Sequence, residues 1–94
     1  MLFLVHMIVQ IPLDADAGLV TRLKADEKAM SQKLQQEGKW RHLWRVAGQY
    51  ANYSVLDVES NDALHDLLIA LPLYPYMAIT VTPLAQHPSA IAQN

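Results

Sequence analysis

From Leu2 to Ile11, apolar residues fill both sides of a period-two repeat. Phe3, Val5, Met7, Val9 and Ile11 lie on one side, and Leu2, Leu4 and Ile8 join His6 and Gln10 on the other. That pattern predicts a strand sheltered on both faces, ended by Pro12, which has no N–H to give to a ladder. The period then lengthens. A helix is expected from Asp14 or Asp16, either of which can cap it, to about Glu37, with Gly38 at the left-handed position that closes helices. Lys39–Ala47 and Tyr50–Val58 read as two strands joined by a tight turn at Gly48-Gln49. Ser60 caps a second helix over Asn61–Leu71, whose Leu64, Leu67, Leu68 and Leu71 form a stripe. Pro72 and Pro75 mark a loop, Tyr76–Thr82 a fourth strand closed by Pro83, and Leu84–Asn94 an irregular tail.

The order β-α-β-β-α-β predicts an α+β, ferredoxin-like sandwich, a four-stranded antiparallel sheet with two helices on one face. The 94 residues allow one domain, 1–94. A hydrophobic share of 52% is high for so small a unit, so part of it is expected to be buried against further copies in a homo-oligomer. With no cysteine, the chain has no disulfides, thiolate nucleophiles or thiolate metal ligands. No apolar run reaches the roughly 20 residues of a membrane span. The apolar Met1–Ile11 stretch lacks a basic leader and a small-residue cleavage site, so the expected location is cytoplasmic.

Charge is segregated: all seven Lys and Arg fall between Arg22 and Arg45, while Asp57, Glu59, Asp62 and Asp66 follow in the second half. This predicts one positive region on two consecutive elements. Basic residues interleaved with tryptophans could suit single-stranded nucleic acid, but the net charge of −2 argues against that partner.

On the first helix, Val20, Leu23, Glu27, Met30 and Leu34 share a stripe, with Glu27 near its middle. A carboxylate there either pairs with a strand cation or faces a pocket as a general base with a raised pKa. Strict alternation in the second strand sends Arg41, Leu43 and Arg45 to one face and Trp40, His42 and Trp44 to the other. Two guanidinium groups so spaced can hold a carboxylate, or simply solvate a sheet. The expected register sets Trp44 opposite Tyr53 and Arg45 opposite Asn52, leaving Asn52 and Ser54 as possible hydrogen-bond donors on the arginine face. His6, His42, His65 and His87 have no metal-ligand spacing, and three scattered glycines make no phosphate loop, so neither metal nor cofactor is expected.

Several blocks together, Lys24-Ala25-Asp26-Glu27-Lys28, Trp40-Arg41-His42-Leu43-Trp44-Arg45, Tyr50-Ala51-Asn52-Tyr53-Ser54, Leu71-Pro72-Leu73, Pro75-Tyr76-Met77 and His87-Pro88-Ser89, resemble the muconolactone Δ-isomerase family along essentially the whole chain. The resemblance implies a cofactor-free homodecamer in the catechol branch of the β-ketoadipate pathway of aromatic catabolism. It would turn muconolactone, a small lactone carboxylate, into 3-oxoadipate enol-lactone by an allylic proton shift. On that reading Glu27 moves the proton, Lys24 or His42 donates to the oxyanion, and Arg41 or Arg45 holds the substrate carboxylate, with Asn52, Tyr53 and Ser54 nearby. Arg41 and His42, on opposite strand faces, would meet only at a subunit boundary. A cofactor-independent monooxygenase of the same fold, or a non-enzymatic binding module, are the alternatives.

Overall fold

The computed structural model describes residues 1–92. The chain runs β1 (Leu2–Val9), α1 (Ala17–Gln36), β2 (Trp40–Arg45), β3 (Ala51–Asp57), α2 (Asn61–Ile69), a single 3-10 turn (Tyr74–Tyr76) and β4 (Met77–Leu84). The sheet order is β2-β3-β1-β4 with every pair antiparallel, the ferredoxin-like arrangement expected. Phe3, Val5 and Met7 of β1 are buried together with Leu34 of α1 and Leu64 and Leu68 of α2, so both helices cover one face. On the other face Leu4, His6 and Ile8 are only half-buried, and Trp44 and Tyr53 are exposed at 56% and 42%. One chain therefore shelters only one side of its central strand.

The helix ends follow local chemistry. Asp16 caps α1 by accepting the Leu19 N–H at 2.9 Å, and Ser60 caps α2 through the Ala63 N–H at 3.0 Å. At the far end of α1, Gly38 takes φ +80°, and the Lys39 and Gly38 amides donate back to the Leu34 and Gln35 carbonyls. This Schellman closure turns the chain straight back, so β2 runs antiparallel to α1 and lies alongside it. α2 stops at Ile69, short of the expected Leu71, because a residue before proline avoids the helical region. β4 continues past the expected stop: Pro83 pairs with Phe3 and Leu84 with Leu2. An edge strand tolerates a residue without an N–H. Residues 85–92 are in neither helix nor strand; the last two residues of the expected tail lie outside the described part.

The Trp44–Tyr53 and Arg45–Asn52 pairs form as expected, across a Val46–Gln49 turn with Gly48 at φ +79°. The strict alternation of β2 does not survive. Trp40 pairs with Leu56 and His42 with Val55, leaving Arg41 as the extra residue of a bulge. Trp40 thereby turns into the core with Phe3 and Leu34. It shares the helix-covered face with Leu43 and Arg45, while Arg41 pairs with Asp57 at 2.8 Å.

Candidate active site

Because β2 runs back beside α1, side chains of the two elements together line a cleft of about 480 Å³. The α1 side supplies Lys24, Glu27, Lys28 and Ser31 in helix order, and β2 returns from Trp40, packed in the core with Leu34, through Leu43 to Arg45, which shares Tyr50 with Lys24. Tyr50 and Asn52 extend the Arg45 end, and Leu73, from the loop after α2, closes over Glu27. The cleft thus runs from a cationic end to an indole end, with a single carboxylate between them.

Glu27 is half-buried, and its Oε1 accepts the Leu73 backbone N–H at 2.9 Å. That amide is free to donate because the 3-10 turn uses neighbouring groups: Tyr74 N–H goes to Leu71 O and Tyr76 N–H to Leu73 O. Burial raises the Glu27 carboxyl above its ordinary value of 4.5, and the Leu73 hydrogen bond works the other way. The group that opposes the shift is a backbone amide and not a strand cation. With Oε1 clamped, Oε2 is the oxygen left for proton transfer.

At the cationic end, Lys24 Nζ and Arg45 Cζ both lie 5.4 Å from the Tyr50 ring centroid. Neither forms an ion pair among the described residues, and nor does Lys28. Three unpaired cations around a concave, partly apolar surface attract and orient a small anion. Asn52 is fixed from below. Ser54, with no exposed surface, donates its Oγ–H to Asn52 Oδ1 at 2.7 Å. Its amide NH2 is the group that remains free to donate.

Of the residues singled out from sequence, Glu27, Lys24, Arg45 and Asn52 converge on this cleft, and Ser54 touches it only through Asn52. Arg41, His42 and Tyr53 do not line it within one chain. Arg41 is held by Asp57, His42 stacks on Trp44 at 4.9 Å, and Tyr53 stacks on His6 at 4.4 Å on the open sheet face. Sequence reasoning missed the Leu73 amide, Tyr50, Lys28 and Trp40. A backbone donor leaves no residue-type signal, and Trp40 is placed by a bulge that alternation cannot foresee.

Along nearly its whole length the chain is similar to one family of known proteins. The family model described as muconolactone delta-isomerase matches residues 1–90. Muconolactone Delta-isomerase 2 of Acinetobacter lwoffii is 64% identical over 91 residues, covering 97% of this chain and 95% of that protein. A crystal structure of muconolactone isomerase, solved at 3.3 Å, superposes with a TM-score of 0.94 at 60% identity, covering 100% of this chain and 98% of the other. A structure from Deinococcus radiodurans described as a putative antibiotic biosynthesis monooxygenase reaches a TM-score of 0.51 at 13% identity over 98% of this chain and 100% of that one, a likeness of fold alone. Family model, full-length relatives and superposition converge: the chain belongs to the muconolactone delta-isomerase family.

Proposed function

We propose that this chain isomerises muconolactone to 3-oxoadipate enol-lactone with Glu27 as the one proton carrier. The ionised Oε2 takes the proton from the ring carbon bearing the carboxymethyl arm. The C–H electron pair becomes a new ring double bond, the old double bond shifts, and charge collects on the carbonyl oxygen. Glu27 then returns the proton to the carbon beside that carbonyl. A base that must both take and give the proton needs a pKa nearer neutrality than an exposed glutamate has, and burial supplies that direction. Lys24 and Arg45, both beside the Tyr50 ring, hold the substrate carboxylate, and Asn52 donates from the amide that Ser54 orients. Arg41, His42 and Tyr53 reach a substrate only in the cleft of a neighbouring copy. The half-buried apolar side of the sheet supports assembly of such copies, to a homodecamer by family resemblance. No described helix is long and apolar enough to cross a membrane. The catechol branch of aromatic catabolism and a cytoplasmic location complete the proposal.

The observation that carries this reading is the half-buried Glu27, clamped by Leu73 on one oxygen, in a cleft whose other charged groups are all cations. Glu27→Gln keeps the shape and the Leu73 hydrogen bond while removing the base. Its rate on muconolactone, followed by exchange in deuterated buffer, is expected to fall by about 100-fold or more. A rate within about threefold of the parent would overturn the assignment.

A further inference from the structure

We propose that the indole Nε1–H of Trp40 receives the charge on the substrate's ring carbonyl oxygen, and so fixes which end of the lactone acid enters the cleft. The inference rests on the isomerase reading above and adds to it the donor and the substrate's direction. Trp40 lines the cleft and is 3% exposed, yet its Nε1 has no hydrogen-bond partner. Among the described residues it is the one buried side-chain nitrogen or oxygen left in that state. Leaving a buried donor unmatched is costly, and native structures rarely do it without a reason. No described atom accepts from it, and the cleft that Trp40 lines is where an acceptor can enter.

The order of the lining residues along α1 and β2 gives the direction. Lys24 and Arg45 form one end, Ser31 and Trp40 the other, and Glu27 stands between. Lys24 and Ser31 are seven residues apart on the helix, roughly 10 Å at 1.5 Å per residue. A lactone ring with one carboxymethyl arm fits within that length, its carboxylate at the cations and its carbonyl at the indole. Each end then meets the group suited to it. The carboxylate is charged throughout, so permanent cations bind it in the ground state. The carbonyl oxygen becomes charged only after Glu27 has removed the proton, so a neutral donor in a dry site strengthens its hydrogen bond at that moment. Indole is a donor only. It cannot compete with Glu27 for the proton, and its N–H bond stays intact throughout. A lysine in its place would attract the carboxylate to the wrong end.

Trp40→Phe keeps an aromatic ring in the core while removing the N–H together with part of the indole's volume. Its kcat is expected to fall about 10- to 100-fold with KM within about threefold, and exchange of the ring hydrogen in deuterated buffer should fall by the same factor. A second measurement does not need the variant to fold. The chain has two tryptophans, so the parent protein labelled with 15N-tryptophan shows two indole N–H resonances. Adding the saturated lactone acid, which lacks the double bond and cannot isomerise, should move the Trp40 resonance downfield while that of Trp44 stays. A folded Trp40→Phe with kcat within threefold of the parent, or a Trp40 resonance unmoved at saturation, would overturn the proposal. Failure of the isomerase reading is a separate outcome: Glu27→Gln would then remain active.

Discussion

Two grooves flank α1, and the larger one is the less promising. The groove on the α2 side, about 760 Å³, is lined by Glu37, Asp57, Glu59 and Asp66 with Lys39 and the chain's amino terminus. Much of its charge is already matched. Asp57 takes Arg41 at 2.8 Å and the terminal amine at 3.4 Å, and Lys39 lies 3.7 Å from Glu37. The β2-side cleft is smaller, but among the described residues Lys24, Lys28 and Arg45 have no carboxylate partner, Glu27 is half-buried, and one indole N–H is unmatched. Volume says where a molecule could sit. Unspent hydrogen-bonding and charge say where one is expected.

Neutralising one carboxylate in each groove tests that contrast most directly. Glu27→Gln is expected to lose about 100-fold or more in kcat, whereas Asp66→Asn, exposed in the acidic groove, should stay within about twofold. Comparable losses from both substitutions would mean that unmatched charge does not mark the site.

The arginines sharpen the comparison at smaller amplitude. Arg45→Ala should raise KM for the lactone acid by roughly 10-fold or more while changing KM for its uncharged methyl ester far less. Arg41→Ala breaks a one-third-exposed pair with Asp57, so it should cost about 1 kcal/mol of stability or less and leave KM for the acid within about threefold. If Arg41→Ala instead raised KM as much as Arg45→Ala, the cleft of a neighbouring copy would have to include it.

These two residues also show where the sequence was legible. Both are arginines on one short strand, four positions apart, and alternation treats them alike. The Arg45–Asn52 register could be read from the turn, because hairpin geometry is local. The bulge at Arg41 could not. It exists because the space beside Phe3 and Leu34 takes a large apolar side chain, and that demand comes from residues distant in sequence. Glu27 was legible for the opposite reason: a carboxylate within an apolar helical stripe is an anomaly that local periodicity exposes. What clamps it, the Leu73 amide 46 positions away, depends on how the loop after α2 returns over α1. Side chains that break a local pattern stand out in a sequence, and backbone groups that answer them do not.

The smallest expected effect concerns stability rather than rate, and its sign separates a desolvated Glu27 from an ion-paired one. Burial raises the carboxyl of the folded chain above 4.5. Below 4.5 Glu27 is protonated in both folded and unfolded chains, and no stability is lost. As pH rises through the folded-state value, the unfolded chain ionises first and gains, so the parent protein loses stability across that window and keeps the deficit above it. Glutamine does not titrate and can still accept the Leu73 N–H. Glu27→Gln should therefore gain stability relative to the parent between pH 4 and neutrality, by no more than a few degrees in Tm, since solvent reaches much of the carboxylate and Leu73 already offsets part of the burial. Thermal melts at matched protomer concentration read this directly. A carboxylate paired to Lys24 or Lys28 would have its pKa lowered, and the substitution would then lose ground as pH rises. A gain in stability with pH, together with the fall in kcat, would mark Glu27 as a group the fold carries at a cost because the reaction needs it there.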